Sequence, residues 1–280
     1  MYRLSDESMR VSRMSLANWL EKGSIHFCGL IAYLKNSCLE KDSIVNCDET
    51  LCHVKREGCY KKKYIWCLVN RPSQSDGYNV YMYLDNHMVD IEHLCCMAHA
   101  RAKFKYALEQ GGDKDAAFIL ELIGELYRLE REYEEGRLSP EQIRLCRNNL
   151  KTKEIIIKLR NKLDVLLSES HPPRGELMDK AINYMHTFWI QLFAYLNDGS
   201  YSIDNSIAEG FICPLAGERK NSLFFGSDKM ARVSAVYHTI ISTCRMQVVS
   251  VLDYFKRFFS EIVKGRRDYE HLLPLTIGLN

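Results

Sequence analysis

Three acids stand where a chain would place metal-ligating carboxylates. Asp48 closes the β-branched run of "VNCDET". Asp76 sits in "SDGY", ahead of an aromatic stretch, and Glu209 follows "SIDN" on the first turns of an expected helix. Enzymes that cut or join phosphodiesters need carboxylates converging on two divalent ions, roughly 3.5–4 Å apart. Mg²⁺ is a hard cation that takes oxygen ligands, so Asp and Glu are the right residue types. Strand ends and a helix are the rigid elements that could hold them. On spacing alone the same residues also read as a strand-end cap at Asp48, a turn residue at Asp76 and a helix N-cap at Asp204. The chain holds 36 acids, so chance spacing is easy to come by.

Other chemistry is less well supported. His93, Cys95, Cys96 and His99 crowd one short segment, but their spacing is not a standard zinc pattern. Read as a strand, the segment would turn Cys95 and Cys96 to opposite faces, which describes buried thiols better than a metal site. No nucleophile elbow surrounds any cysteine. Basic runs at 55–63, 99–105 and 264–269 read as solvated faces. Lys61, Lys62 and Lys63 stand out because a hairpin would carry them close to Asp48, on a path that DNA could follow. Tyr78, Tyr81 and Tyr83 read as core.

The elements that must position these residues follow from periodicity. Val11, Met14, Leu16, Trp19 and Leu20 give a short amphipathic helix, and 25–40 gives another. "LCHVKREGCYKKKYIWCLVN" reads as two strands around a turn near Glu57-Gly58. "VDIEHLCCMA" is a strand candidate, and "HARAKFKYALEQG" a helix. From 113 to 172 the pattern is helical, a coiled-coil-like hairpin with no chemistry of its own. Ser139, Pro140 and Gln142 form a capping-box signal within it. A helix over 176–198 ends at Gly199, and 229–262 is helical with apolar faces. The resulting division is a helical lead-in (1–40), a first core segment (41–112), a helical insertion (113–172), and a last segment (173–280) with the final acid and closing helices.

The bulk numbers bound the class. The chain has 280 residues, 46% hydrophobic content and a net charge of +2, so it can bury a sizeable core and has no global polybasic signal. Any nucleic-acid contact must come from local patches. Eleven cysteines with no CxxC pair and no apolar leader fit free thiols in a reducing cytosol. No run is long and apolar enough to span a membrane. The abrupt start reads as a piece of a longer reading frame.

Taken together, "VNCDET", "SDGYNVY", "HLCCMAHARAKF", "YSIDNSIAE", "PLAGERKNSLFFGSD" and "YEHLLP" resemble, in order, the catalytic part of insertion sequence 66 family transposases. The likeness runs from about Val11 to Pro274. It implies a DDE transposase: an α/β RNase H-like core with a long α-helical insertion and C-terminal helices. It implies Asp48, Asp76 and Glu209 as catalytic metal ligands for Mg²⁺ or Mn²⁺, with Asp204 as the alternative third acid. Asp204 and Asn205 would cap the helix of Glu209. Lys61, Lys62, Lys63, Arg101, Arg219, Lys220 and Asn221 would contact DNA. The implied partners are double-stranded DNA (element ends and target), further copies of the chain, and accessory proteins of the same element. The implied setting is a bacterial cytoplasm. Two departures stand out. "NRPSQSDGY" joins "WCLVN" to Asp76 directly, which removes central sheet material and leaves Asp76 on a loop. Gly210 and Cys213 stand where the family places arginines. The resemblance also implies DNA-binding regions upstream, in the longer reading frame that the abrupt start suggests. These departures imply a copy with impaired or lost catalysis, or one that binds DNA without cutting it.

Overall fold

A computed structural model describes residues 2–3, 10–38, 44–56, 59–70, 92–168, 175–221 and 224–278. The expectations for Asp76 and for Tyr78, Tyr81 and Tyr83 lie outside these residues. So does the direct junction that precedes Asp76. The described chain is mixed and mostly helical, and it forms two compact units. One comprises Ile44–Asp48 and Cys67–Gly210. The other comprises Met1–Ser43, Glu49–Trp66 and Phe211–Asn280.

Strands β1 (Tyr2–Arg3) and β2 (Arg10–Val11) pair antiparallel, with Tyr2 opposite Val11. A second two-stranded sheet pairs β3 (Val45–Arg56) with β4 (Cys59–Asn70). A two-residue connection permits only an antiparallel pair. Asp48 therefore does not close its strand. The alternation Asn46, Asp48, Thr50, Cys52, Val54 continues beyond it, and all five are buried. Among the described residues no sheet exceeds two strands.

In the unit containing Asp48, α3 (Met97–Gly111) packs against α4 (Lys114–Glu135) and α7 (Glu176–Thr187). α6 (Leu150–Ser168) packs against α4 and α7. The apolar stripes are legible. Ile119, Ile123 and Leu126 on α4 meet Leu159 and Leu163 on α6, with Phe104, Ala181 and Met185 completing the core. Asp113 caps α4 by accepting from the amides of Asp115 and Ala116. α3 ends on Gly112, whose φ of 64° is a left-handed cap that glycine adopts without strain.

Three expected elements differ. "VDIEHLCCMA" is not a strand where it is described: only Cys95 forms a bridge, and Cys96 is already the N-cap of α3. The insertion's second helix is two. α5 (Pro140–Arg147) carries the expected capping box, and α6 restarts after Asn148-Asn149. Asn148 Nδ2 donates to Leu196 O, and Asn149 Oδ1 accepts from the Thr152 backbone amide, so both side chains compete with a continuous helix. The helix expected over 176–198 breaks at buried Phe188 into α7, α8 (Trp189–Phe193) and a 3₁₀ turn, Ala194–Leu196. Gly199 follows, and its role is close approach. A Cβ there would lie 1.8 Å from Pro140 O, so no side chain fits.

In the other unit, α1 (Arg13–His26) packs on α10 (Asp228–Met246), and α10 packs on α11 (Val251–Val263). The helix expected over 25–40 is α2 (Cys28–Cys38), which starts after a break at Phe27. Phe27 is fully buried and stacks on Phe258 at 4.4 Å, with Tyr237, Phe255 and Phe259 around it. Met14, Trp19 and Leu20 remain exposed on α1. Phe225 extends the β3 edge: its amide donates to His53 O, and its carbonyl accepts from the Lys55 amide. Among the described residues no helix is long and apolar enough to cross a membrane, and all eleven cysteines are free thiols.

Candidate active site

The segment that delivers Glu209 is held at both ends. Upstream, Arg147 is 3% exposed, and it donates from Nε and Nη2 to both carboxylate oxygens of Glu130. The same guanidinium donates to three backbone carbonyls, Tyr195 O and Asp198 O at 2.7 Å and Tyr201 O at 2.8 Å. A planar fork with five donors can satisfy such a set; an ammonium cannot. α5 therefore clamps the loop leading to Glu209. Within that loop, Asp198 accepts from the Ser200 hydroxyl and amide. Those bonds hold its carboxyl below the ordinary range.

Downstream, α9 (Ser206–Asn221) opens with Glu209 in its first turn, where an acid also suits the helix dipole. Asp204 caps it by accepting from the Ser206 amide at 3.1 Å. Asn205 is fully buried and works differently from a side-chain cap. Its carbonyl accepts from the Glu209 amide, and its Nδ2 donates to Cys47 O at 2.9 Å. Its own amide donates to Cys96 Sγ at 3.1 Å. One side chain thus ties the start of α9 to the residue before Asp48, within one unit. Asn205 Oδ1 is buried with no donor among the described residues, which leaves a spare oxygen acceptor beside this junction.

Around Glu209 the neighbours are a thiol and an imidazole. Cys96 Sγ lies 3.9 Å and His99 Nδ1 3.7 Å from Glu209 Oε1. All three ligand atoms lie within 4.8 Å of one another. Burial, with Glu209 and Asp204 adding to it, pushes the Cys96 thiol up to about 12, so without a cation it is neutral. Tyr127, beside Asp204, is also shifted upward, first by burial and then by that carboxylate. Arg101 stacks over the Tyr127 ring at 5.5 Å. A cavity of about 550 Å³ opens next to Asp204, lined by Tyr127, Arg131, Arg137, Arg147 and Tyr201 among others.

The structure therefore brings Glu209, Asp204 and Asn205 together with Cys96 and His99, and ties them to the strand of Asp48. Lys61, Lys62 and Lys63 are exposed on β4, and Arg101 is exposed on α3. Arg219, Lys220 and Asn221 fall on the last turn of α9. Sequence reasoning missed Arg147, which gives no local signal. It set aside Cys96 and His99 only as metal ligands; their Cys-x-x-His spacing places them one helical turn apart once α3 starts at Met97.

A buried strand acid and a helix acid beyond a clamped loop thus stand in one mixed, mostly helical fold, with a run of helices between them in the chain. The comparisons make this specific. The family model described as "Transposase IS66 family" matches residues 72–233, and the chain belongs to this family. The match takes in Asp76, Cys96, His99, Arg147 and Glu209 and begins after Asp48. Two similar relatives come from Sinorhizobium fredii. Uncharacterized protein y4jD is 28% identical over 213 residues, covering 72% of this chain and 40% of that protein. Uncharacterized protein y4qI is 32% identical over 211 residues, covering 72% and 38%. The chain thus spans about two fifths of the length of these curated relatives. No solved structure matches.

Proposed function

We propose that this chain is the catalytic segment of a DNA transposase of the DDE kind, with an RNase H-like ancestry and much reduced strand transfer. The observation that carries the reading is the Asn205 bridge, which ties the first turn of the Glu209 helix to the Asp48 strand. Asp48, Asp204, Glu209 and the spare Asn205 Oδ1 are oxygen donors, so the donors fit Mg²⁺ or Mn²⁺ in kind. Asp48 and Glu209 would hold such ions together with Asp76. Bound divalent ions would supply activation of an attacking hydroxyl and stabilisation of a leaving oxygen. The protein's own part is orientation. Arg147 and Asn205 fix the Glu209 turn, and burial fixes Asp48 in β3. Lys61, Lys62, Lys63, Arg101, Arg219, Lys220 and Asn221 would meet the phosphates of double-stranded DNA. Further copies of the chain and accessory proteins would act with it on paired element ends, in a bacterial cytoplasm.

Reduced activity follows from α9. Gly210 and Cys213 are both exposed on it, where the resemblance places two arginines. The same observation favours a second reading, a remnant that binds DNA without cutting it. Duplex binding and nicking of plasmid carrying the element's own ends, in Mn²⁺, test both readings. The expected result is duplex binding with weak nicking that Asp48→Ala and Glu209→Ala each abolish. Adding Gly210→Arg with Cys213→Arg is expected to steepen the salt dependence of binding by about 2 in log–log slope. Binding without nicking selects the remnant. A chain that does not bind duplex DNA overturns both.

A further inference from the structure

We propose that Cys96 Sγ, His99 Nδ1 and Glu209 Oε1 form a binding site for a borderline-soft divalent ion of the Zn²⁺ class, with water completing the coordination. Zinc ligands at about 2.0–2.3 Å in tetrahedral array lie roughly 3.3–3.7 Å from one another. The two distances to Glu209 Oε1, 3.7 and 3.9 Å, need to close by only a few tenths of an ångström.

The donor set selects the ion. A thiol and an imidazole beside a carboxylate suit Zn²⁺ or Co²⁺, whereas Mg²⁺ and Ca²⁺ seek oxygen throughout. Placement supports it as well. Cys96 is the N-cap of α3 and His99 sits one turn on, so a single helix start presents both donors. The Asn205 amide already points at the sulfur, an interaction that favours a bound thiolate. The cation itself reverses the preference for a protonated thiol. The His99 and Glu209 side chains are 36% and 39% exposed, while Cys96 and the His99 Nδ1 atom are buried, so the cluster sits just below the surface. Three protein ligands with one open position is the pattern of zinc sites that keep a water.

This ion is distinct from the Mg²⁺ or Mn²⁺ of the proposed function, and the site does not depend on that reading. The two share Glu209. If the transposase reading holds, Zn²⁺ at this site draws the last acid away from the oxygen-ligand set.

The test is Co²⁺ titration of the metal-free full chain under a phosphine reductant, followed by absorption spectroscopy, with no DNA present. The expected result is one equivalent of Co²⁺ giving a thiolate-to-cobalt charge-transfer band and the intense d–d bands of a tetrahedral site, both displaced by Zn²⁺. Cys96→Ser removes the charge-transfer band, and His99→Ala weakens binding at least tenfold. Cys213→Ser, which removes an exposed thiol outside the cluster, leaves both unchanged. Thermal melts confirm that each variant is folded. The proposal is overturned if the wild-type chain gives no charge-transfer band, or if the band survives Cys96→Ser in a folded variant. Either failure leaves the DNA experiments above untouched.

Discussion

Arg147→Ala is expected to destabilise its unit by about 3–5 kcal/mol, the usual cost of breaking a buried ion pair from one side. The substitution leaves Glu130 without its cation, and Glu130 is only 17% exposed. It also strips the donors from Tyr195 O, Asp198 O and Tyr201 O. Those carbonyls belong to the loop that leads into Asp204, Asn205 and Glu209, so local order falls along with stability. Arg147→Lys keeps the charge but loses the fork and is expected to recover less than half of the loss. Denaturant unfolding measures the first effect. Hydrogen exchange at the Ser200 and Ser206 amides measures the second. A loss below about 1 kcal/mol would show that the clamp is not what holds this loop.

The second large effect is expected in the other unit. Phe27→Ala removes a fully buried ring packed among Tyr237, Phe255, Phe258 and Phe259. Phenylalanine-to-alanine changes in cores cost about 3–5 kcal/mol, because the cavity relaxes only in part. Phe27 also sits at the break between α1 and α2, so the loss loosens the joint between those helices. Exchange protection is expected to fall at Ile240 and Phe258, both buried against the ring's neighbours. Unchanged protection there would mean that the cluster repacks without Phe27.

How much of this was legible follows from where each signal lives. Local signals were readable. Ser139-Pro140-Gln142 announced a capping box, and "LCHVKREGCYKKKYIWCLVN" two strands. Glu209 is on the first turn of a helix, as its place after Asp204-Asn205 suggested. Breaks set by tertiary contacts were not readable. Phe27 and Phe188 interrupt helices because each ring is wanted in a core, and nothing in their flanks marks that. The strand reading of "VDIEHLCCMA" failed because Cys95 and Met97 bond to Gln191 O and Ile203 O, acceptors from distant parts of the chain.

The site divides in the same way. Residue types and motif order pointed to Asp48, Asp204 and Glu209. The Cys96 and Glu209 pair is separated by 113 residues, so its convergence is a property of the fold alone. Arg147 looks like any helix-surface arginine until α5 docks against the 195–201 loop. Gly199 was legible as a stop for the wrong reason, since its constraint comes from Pro140 and not from its own torsions.

The most direct measurement is a calorimetric Mn²⁺ titration of the wild-type chain beside Asp48→Ala, Glu209→Ala and Cys96→Ser variants. Wild type is expected to bind Mn²⁺, either acid substitution to abolish binding, and Cys96→Ser to retain it, since a hard ion has no use for the thiol. A folded wild-type chain that takes up no Mn²⁺, or binding indifferent to both Asp48 and Glu209, would contradict a shared carboxylate site on these two elements.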